Sequence, residues 1–451
     1  MTGSSERSTD LEWRREAREL VAPDPRLRVP VPAFGGRSIP NLASSVAQAV
    51  GGREQERPPL PPLSSDLDPF GGRRPEGPVV VFLVDGLGWS SLHRSAARLP
   101  EGPAAHWVQS ARPITSVFPT TTTVALTSLS TGASPGQHGV VGHRVFLPRF
   151  DCVVEILRMS PLGVSAAETL VGPDWTPSIL CPVPSIFRRG VNAVAVSRDR
   201  YQGSGFTRLI YDGANYLAYA TASDFALTLA ELLARPVPPP VVFAYWDDLD
   251  VTGHLRGPLP ELVDLELDRV ATWLSFVAQR LGPGAARRTT ILLTGDHGQV
   301  PMSVDQQLVV DRDPELLGLL AHPPSGDRRA TYFSARPGRR SDLEALLEAR
   351  RPPGSHLLEL AEAVEGGLYG PPPFHGELLE RLGDFLLLMP SPGGVSYTVP
   401  GSRPRGRPML GAHGGLEPAE LLVPLVAGPL DAFALGPARP SHLPPADTEA
   451  A

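Results

Sequence analysis

The chain has 451 residues, 41% of them apolar and 20% charged, with a formal net charge of −7. This length allows one large domain or two ordinary ones, and the composition is that of a globular protein. The acidic balance disfavours a nucleic-acid polymer as partner, because such binders usually carry a basic stripe. Only Cys152 and Cys181 are present, which excludes a disulfide framework and a thiolate cage for a metal.

The first residues of the chain predict neither a secretion signal nor a membrane anchor. The stretch MTGSSERSTDLEWRREAREL is charged from its start, and no later stretch has the roughly 18 apolar residues that span a bilayer. We therefore expect a cytoplasmic protein without a membrane partner. Residues 1–75, rich in Pro, Gly, Arg and Ser, are predicted to form a partly ordered N-terminal extension with helices at 10–21 and 41–50.

From residue 78 onward, segments typical of buried strands alternate with segments typical of helices. The run VVVFLVDG at 79–86 is continuous and apolar, as in a parallel strand buried on both faces. There follow a predicted helix after Thr122, a strand at 192–199, a helix at 224–235 capped by Asp224, a strand at 241–250, a helix at 261–281 and a strand at 289–298. This alternation predicts an α/β sandwich with helices on both faces of a mostly parallel central sheet.

The alternation of strands and helices loosens beyond residue 300. Two short helices, SDLEALLEAR and LLELAEAVEGG, are predicted there between loops rich in Pro and Gly. We divide this part of the chain into a core at 76–300 and 406–430, an inserted subdomain at 301–405 and a flexible tail at 431–451.

Acidic residues and histidines follow three of the predicted strands, and in open α/β sheets functional groups collect at the carboxyl ends of strands. They are Asp85, then Asp247, Asp248, Asp250 and His254, then Asp296 and His297, with His413 in a later loop. Each residue alone is more typical of a turn or a helix cap than of a metal ligand. Two divalent ions, Zn²⁺ or Mn²⁺, would find enough ligands, if one more oxygen is supplied, in the set Asp85, Asp250, His254, Asp296, His297 and His413.

A run of four threonines offers that oxygen. In FPTTTTVALTSLSTG, residues 118–132, the threonines precede small residues typical of a helix that ends on glycine. The N–H groups at a helix N-terminus favour an anion, and a metal ion bound to a threonine hydroxyl there lowers the pKa of that hydroxyl toward neutrality. The pattern predicts a nucleophile for phosphoryl transfer, and this argument does not distinguish among the four threonines.

In their order and spacing, these motifs resemble those of the alkaline phosphatase superfamily, and within it the nucleotide pyrophosphatase/phosphodiesterase branch. The matching segments are VDG around Asp85, PTTT at 119–122 with TG at 131–132, DVTGH at 250–254, GDHG at 295–298 and AHGG at 412–415. The resemblance covers roughly residues 78–428 and implies an alkaline-phosphatase-like three-layer sandwich. It implies Thr122 as the nucleophile, because the later TG sets the register, with Thr121 as the rival.

The same resemblance implies two metal ions. One would be held by Asp85, Thr122, Asp296 and His297, and the other by Asp250, His254 and His413. Asp247 and Asp248 then take supporting roles. Many members of the branch carry an asparagine three residues after the nucleophile, which donates to a phosphate oxygen, whereas this chain has Ala125. The segment TTVAL lacks the C/S-x-P-x-R pattern of sulfatases, which disfavours sulfatase activity.

The function implied by the resemblance is two-metal hydrolysis of phosphate diesters. The substrate would be a small phosphorylated molecule, a nucleotide or a cyclic dinucleotide such as cyclic di-AMP. One alternative is a phosphomonoesterase or phosphonate hydrolase on the same metal core. Another, of a different class, is a catalytically silent protein that binds a phosphorylated ligand.

Residues beside these motifs have two interpretations each. His138 and His143, in GQHGVVGH, are more typical of loop histidines that pack against a helix end than of substrate contacts. Four aromatic residues are predicted to pack in the core rather than to stack on a base: Trp89, Phe118, Tyr245 and Trp246. In the helix at 261–281, the predicted core residues are Leu262, Leu265, Val270, Trp273 and Val277.

Overall fold

The structure is a computed structural model, and it describes residues 15–51, 57–172, 174–402 and 407–434. Residues 15–20 and Ile39–Ala49 are helical, which agrees with the two helices predicted near the N-terminus; residues 10–14 of the first lie outside the described residues. So do residues 435–451, most of the predicted tail. Leu430–Phe433 form a short helix, and the Phe433 ring lies 5.9 Å from that of Trp107.

A central sheet of seven strands forms the middle layer of the fold. From edge to edge its strands are Arg112–Thr115, Leu422–Pro429, Thr290–Thr294, Val79–Val84, Val241–Trp246, Ala193–Arg198 and Asn215–Tyr219. Neighbouring strands are parallel except at Leu422–Pro429, which runs antiparallel to both of its neighbours. The predicted α/β fold with a mostly parallel sheet is therefore confirmed.

Helices cover both faces of the central sheet. Alternate residues of strand Val79–Val84 enter different cores, so that Val81 belongs to one and Phe82 to the other. One core contains side chains of helices Ile39–Ala49, Thr122–Thr131 and Gly205–Ile210, and the other those of Trp89–Arg98, Ala222–Leu233 and Pro260–Leu281. The strand is a continuous apolar run because both of its faces are buried.

A second sheet of seven strands was not predicted from the sequence. Its strands are, in order, His356–Glu359, Phe385–Leu388, Ala330–Phe333, Ser325–Gly326, Arg144–Leu147, Cys152–Glu155 and Ser160–Pro161, and every pair is antiparallel. The sheet thus joins strands within 144–161 to strands within 301–405. The division of the chain into a core and an inserted subdomain stays a prediction. Strands this short carry little local signal, which explains why the sequence pattern did not reveal them.

The remaining elements of the described residues are short. Further helices are Pro103–Trp107, Pro135–His138, Asp248–Arg256, Pro283–Arg288, Pro314–Leu319, Arg340–Arg350, Leu360–Glu365, Leu378–Leu382 and Pro418–Leu421. Two small strand pairs are Val300–Pro301 with Gly411–Ala412 and Gln307–Val309 with Gly394–Ser396. Single 3₁₀ turns are Pro148–Phe150, Ile156–Arg158, Pro177–Ile179, Asp199–Tyr201, Val304–Gln306 and Val310–Arg312. Within the described residues, no helix combines the length and the apolar character that crossing a membrane requires.

Four predicted element boundaries are wrong because the local residues have other roles. The strand predicted at 289–298 ends at Thr294, before the segment with Asp296 and His297. The strand predicted at 241–250 ends at Trp246, and the acidic segment after it begins a helix, where aspartates interact favourably with the helix dipole. The helix predicted at 224–235 begins at Ala222, and its cap is Thr221, whose hydroxyl accepts a hydrogen bond from the Asp224 N–H at 3.2 Å. The predicted helix LLELAEAVEGG begins as a strand and becomes helical only at 360–365.

Helix Pro260–Leu281 confirms the predicted helix at 261–281, with one error in its core. Leu265 is 65% exposed, whereas the other four residues predicted as core are buried. Glu266 is buried next to it, and its carboxylate accepts a hydrogen bond from Trp246 Nε1 at 2.8 Å. A hydrogen-bonded carboxylate can occupy a core position, which a pattern of apolar residues does not reveal.

His138 is buried and hydrogen bonded, in agreement with the packing interpretation. Its Nδ1 accepts a hydrogen bond from the Val140 N–H at 3.1 Å, so Nε2 carries the proton and donates to Ser128 Oγ at 2.9 Å. Burial, followed by the nearby charges of His375 and Arg381, lowers the pKa of His138 to about 3.

Acid is therefore expected to destabilise the protein through His138. As the pH decreases below about 6.5, His138 becomes protonated in the unfolded chain. In the folded chain it stays neutral down to about pH 3. The free energy of unfolding should fall by about 1.4 kcal/mol per pH unit in this window from His138 alone. Urea denaturation near pH 5 and near pH 7 measures this slope, which His138→Gln should reduce. If wild type and variant differ by the same free energy at both pH values, the prediction is wrong.

Candidate metal centre

The carboxyl ends of three neighbouring parallel strands lie side by side at one edge of the central sheet. Asp85 follows the middle strand, Val79–Val84, and Asp296 follows the strand that pairs with it on one side. On the other side, Asp250 lies in the first turn of the helix that follows the neighbouring strand. Because the carboxyl ends of parallel strands lie at the same edge of a sheet, these carboxylates converge.

The first cluster consists of Asp85, Asp296 and His297, which are buried and whose ligand atoms lie within 4.8 Å of one another. His297 Nε2 lies 3.3 Å from Asp296 Oδ2 and 3.6 Å from Asp85 Oδ1. Asp296 Oδ1 accepts hydrogen bonds from the N–H groups of Gly86 at 3.1 Å and His297 at 3.0 Å. The Tyr245 hydroxyl donates to Asp85 Oδ2. One oxygen of each carboxylate is thus held by the protein.

The second cluster consists of Asp250, His254 and His413, with ligand atoms again within 4.8 Å of one another. Asp250 and His254 lie one turn apart on the same face of their helix, with Asp250 Oδ2 at 3.3 Å from His254 Nε2. His413 comes from a loop, and its Nε2 lies 3.2 Å from His254 Nε2 and 3.8 Å from Asp250 Oδ1. The Gln299 amide donates to the Asp250 carboxylate and fixes its orientation.

Each histidine of the two clusters turns Nδ1 to a backbone carbonyl. The distances are 2.8 Å from His254 to Gly411 O, 2.9 Å from His413 to Thr120 O and 3.2 Å from His297 to Gly298 O. A proton on Nδ1 satisfies each carbonyl and leaves the Nε2 lone pair directed into the site. Histidines that bind metals are usually oriented by such a hydrogen bond.

The two clusters touch. The rings of His297 and His413 stack with centroids 3.8 Å apart and an interplanar angle of 19°. The structure therefore brings together all six side chains predicted as metal ligands from the strand ends and the late loop. Their coordination of metal stays a prediction.

The first cluster fits a divalent cation. Burial, and then the nearby carboxylates of Asp296 and Asp250, raise the pKa of Asp85 well above its usual value. Burial also raises the pKa of Asp296. Among the described residues, Asp85 Oδ1 and Asp296 Oδ2 are buried without a hydrogen-bond partner. A buried carboxylate oxygen without a partner destabilises the folded state unless a cation binds it, and carboxylate oxygens commonly bind divalent metal ions.

The second cluster also fits a cation. Although burial acts to raise the pKa of Asp250, the neighbouring histidines, His254 first, lower it below its usual value. Burial, and then His297, lower the pKa of His413 well below its usual value, so this imidazole is neutral. His413 Nε2 lies 3.2 Å from His254 Nε2, and the Asp250 carboxylate lies beside both nitrogens. A cation shared by these three side chains would take two nitrogen ligands and one oxygen ligand from them.

One of the four threonines presents its hydroxyl to the clusters. Thr120 and Thr123 are buried and donate to backbone carbonyls at 2.8 and 2.9 Å. Thr121 is buried beside the carboxylate of Asp327, whose pKa it lowers, although it also borders the cavity described below. Thr122 is only partly buried, faces the site, and places Oγ1 at 3.2 Å from His297 Nε2. This geometry supports Thr122 over its rival Thr121.

Helix Thr122–Thr131 begins at the site, where its first N–H groups lack intrahelical acceptors and favour an anion. Ala125 on this helix is fully buried, so no side chain at that position donates to a phosphate oxygen. Gly132 ends the helix with φ of 63°, and a Cβ there would lie 2.5 Å from the side chain of Pro58. The TG motif therefore marks the left-handed end of the helix that carries Thr122.

The loop that carries His413 is held from two sides. Thr120 Oγ1 donates to Gly415 O at 2.8 Å and accepts from the Gly414 N–H at 3.0 Å. From the other side, Glu420 Oε1 accepts from the Gly415 N–H at 2.9 Å. Glu420 is itself bound by the fully buried Arg329, whose Nε and Nη2 donate to its two oxygens at 2.7 and 2.9 Å. This network fixes the position of His413 relative to the sheet.

Replacing Arg329 by methionine is expected to lower the free energy of unfolding by about 3–5 kcal/mol, because it leaves the buried Glu420 carboxylate without its partner. Urea denaturation measures the loss. The double change Arg329→Met with Glu420→Gln serves as a control and should lose less, since neither charge is then left unpaired. Equal losses in the single and double variants would contradict this explanation.

Asp247 and Asp248 lie outside both clusters. Arg198 Nε donates to Asp247 Oδ1 at 2.8 Å, and the Tyr201 hydroxyl donates to Asp247 Oδ2 at 2.6 Å. Arg198 also pairs with Asp248, as does Arg269 at 3.5 Å. These contacts agree with the predicted supporting roles of the two carboxylates.

The aromatic residues beside the ligand segments pack in the core, as predicted. Trp89, Phe118 and Trp246 are 3% exposed or less. Tyr245 is also buried, but its hydroxyl holds Asp85, so it contributes directly to the position of a predicted ligand. None of the four side chains is exposed enough to stack on a base.

A cavity of about 470 Å³ opens beside the two clusters. Its wall includes Thr122 and the ligand residues Asp85, Asp250, His254 and His413. Four further residues of the wall were missed or assigned to packing in the sequence analysis, and they are His143, Arg144, Asp327 and Arg328. His143 and Arg144 lie in a polar segment close to the threonine helix, which was a signal for a place in the site. Asp327 and Arg328 have no comparable local signal.

The sequence matches the family described as type I phosphodiesterase / nucleotide pyrophosphatase over residues 79–415. The chain belongs to this family. The match begins at the strand before Asp85 and ends just past His413, so it includes every predicted ligand. The predicted resemblance to the alkaline phosphatase superfamily is confirmed, and the chain is a metal-dependent hydrolase of phosphoric esters.

Several solved structures have a fold similar to that of this chain. Murine ectonucleotide pyrophosphatase/phosphodiesterase 5 matches with a TM-score of 0.57 and 17% identity, over 78% of this chain and 88% of that protein. An inactive threonine-to-alanine variant of it, in complex with AMP, matches with the same TM-score and 19% identity, over the same shares of both chains. Phosphonoacetate hydrolase from Sinorhizobium meliloti matches with a TM-score of 0.55 and 19% identity, over 81% of this chain and 96% of that one. At these identities the similarity shows the fold.

Proposed function

We propose that this protein hydrolyses phosphate diesters of nucleotides, with Thr122 as the nucleophile. The observation that carries the proposal is the position of the Thr122 hydroxyl, 3.2 Å from His297 Nε2, in a cavity lined by Asp85 of the first cluster and by the whole second cluster. The hydroxyls of Thr120 and Thr123 donate to backbone carbonyls, and Thr121 is buried beside the Asp327 carboxylate. The inactive murine variant with a threonine replaced by alanine supports a threonine in this role.

We assign one metal ion to each of the two clusters. One divalent ion would be held by Asp85, Thr122, Asp296 and His297, and the other by Asp250, His254 and His413. When bound, Zn²⁺ or Mn²⁺ ions at these positions would lower the pKa of the threonine hydroxyl and neutralise charge on the phosphate oxygens. Zinc and manganese both suit this mixture of imidazole and carboxylate ligands.

The proposed reaction consists of two displacements at phosphorus, the first by Thr122 and the second by water. Thr122 Oγ1 loses its proton and attacks phosphorus, an Oγ1–P bond forms, and the P–O bond to the first alcohol breaks, with that alcohol taking up a proton. Water then attacks the phosphothreonine, and the phosphate monoester leaves as Oγ1 regains a proton. The N–H groups at the start of the helix are positioned to bind the phosphate oxygens.

Nucleotides are proposed as substrates for two reasons. The family is described by its action on nucleotides, and a structure of the murine protein contains AMP. The cavity, about 470 Å³ in volume, has aromatic side chains in its wall, including Tyr201, Phe206 and Tyr211. Its size lies within the range of small-molecule sites. Cyclic dinucleotides, cyclic di-AMP among them, belong to this class, and the predicted cytoplasmic location is part of the same proposal.

The test is turnover by the purified protein loaded with Mn²⁺ or Zn²⁺. Bis-p-nitrophenyl phosphate should be hydrolysed faster than p-nitrophenyl phosphate, and a panel of nucleotide diesters and cyclic dinucleotides, read by chromatography, should give nucleoside monophosphates. A strong preference for the monoester or for phosphonoacetate would replace the proposal by the phosphomonoesterase or phosphonate hydrolase alternative. Binding of nucleotides without any turnover would favour the non-catalytic alternative.

A further inference from the structure

Two arginines stand side by side in the wall of the cavity. Arg144 begins the strand Arg144–Leu147 of the second sheet, and Arg328 lies just beyond Gly326, the residue that pairs with Arg144 in that sheet. Both line the same cavity as Thr122 and His254. The second sheet thus brings two positive charges from distant parts of the sequence to the proposed active site.

Arg144 and Arg328 are partly buried, and they have fewer partners than the buried Arg329 beside them. Within the described residues, the Arg328 side chain has no hydrogen bond or ion pair, and Arg144 has only Glu155, at 4.0 Å. The adjacent Arg329, by contrast, donates to two glutamates and a backbone carbonyl. Burial lowers the pKa of both Arg144 and Arg328, and the charge of Arg144 lowers that of Arg328 further. The negative charges of Glu155 and Asp327 act on Arg144, but neither guanidinium has a hydrogen-bond acceptor among the described residues. Two like charges that lack hydrogen-bond acceptors indicate a site for an anion.

The pair lies close to the second cluster. Burial, and then the charges of Arg144, His254 and Arg328, lower the pKa of His143 to about 3. His143 also lines the cavity, and its backbone N–H donates to Asp327 Oδ2 at 3.1 Å. Because His254 and both arginines also line this cavity, a single ligand in it can contact the second cluster and the arginines together.

We infer that Arg144 and Arg328 form an anion subsite that binds a second phosphate or carboxylate of the substrate, apart from the phosphoryl group that reacts. The inference rests on the proposed function for the position of that reacting group. A planar guanidinium fits either anion with two parallel hydrogen bonds, and a neutral wall would not distinguish a singly from a doubly phosphorylated ligand. Substrates with two anionic groups, such as dinucleotides with two phosphates, should therefore be preferred.

Binding of two ligands that differ by one phosphate tests the subsite. Thymidine 5′-monophosphate and thymidine 3′,5′-bisphosphate are titrated calorimetrically into the full, metal-loaded chain. Wild type should bind the bisphosphate about 10- to 100-fold more tightly, as expected for hydrogen bonds to a charged group. Arg144→Gln and Arg328→Gln should each remove most of that preference and leave the affinity for the monophosphate unchanged. Arg328→Lys keeps the positive charge but loses the two parallel donors of the guanidinium. This variant should retain part of the preference for the bisphosphate.

Arg149→Gln is the matched control, because Arg149 is an exposed arginine near the same sheet and outside the cavity. It should keep the full preference. The inference is wrong if wild type binds both ligands equally, if the Gln variants weaken both ligands to the same extent, or if Arg149→Gln has the same effect. The proposed function fails separately: a bisphosphate preference without turnover of any diester would reject the hydrolysis and support the subsite.

Discussion

Thr122→Ala is expected to lower kcat/KM for a phosphate diester by about 10⁴-fold or more, the loss typical of removing a nucleophile that acts with its partners as a unit. The reason is geometric, since the Thr122 hydroxyl lies at the clusters while its neighbours are engaged elsewhere. Binding of a nucleoside monophosphate should survive, because the change removes an oxygen and leaves the cavity wall in place. Steady-state kinetics and calorimetry measure the two effects.

Two matched variants separate the nucleophile from a merely structural threonine. Thr122→Ser keeps a hydroxyl at the same position and should retain measurable turnover. Thr121→Ala removes the rival hydroxyl, whose partner is Asp327, and should cost no more than about tenfold, the effect of one ordinary hydrogen bond. If Thr121→Ala is the inactive variant and Thr122→Ala is not, the assignment of the nucleophile is wrong.

Removing metal with a chelator is expected to abolish turnover and to lower Tm. In the first cluster, the buried oxygens Asp85 Oδ1 and Asp296 Oδ2 have no hydrogen-bond partner among the described residues, so a cation would stabilise the folded state. An ion present at a thousand times its Kd would add about 4 kcal/mol. Differential scanning calorimetry with and without Zn²⁺ or Mn²⁺ measures the shift.

Asp85→Asn sharpens this test, because it should change stability in opposite directions with and without metal. In the chelated protein the variant should be as stable as wild type or more so, since it removes a buried carboxylate that Asp296 and Asp250 disfavour. With metal it should lose most of the increase in Tm and nearly all turnover. Asp248→Asn is the control, an aspartate after a neighbouring strand but outside both clusters. A full metal-dependent shift in Asp85→Asn would contradict the ligand assignment.

Much of the candidate site was predictable because its signals are local. A buried strand shows itself as an apolar run, and the residue after it lies at the edge of the sheet where ligands collect, as Asp85 and Asp296 do. His254 follows Asp250 by one helical turn, a spacing that places both on one face. Errors arose where a polar residue had a local structural role, as with Asp224 in the first turn of its helix and Glu266 in the core.

The sequence by itself determined four of the seven strands of the central sheet, the six predicted ligands and the helix that begins with the threonines, since the signal for each lies in neighbouring residues. Only the tertiary structure decided which threonine hydroxyl faces the clusters, because the partners of the other three belong to distant loops. It likewise placed Arg144 beside the segment of Arg328, through a pairing of short strands from opposite halves of the chain. Such pairings depend on the packing of the whole fold, and no local pattern records them.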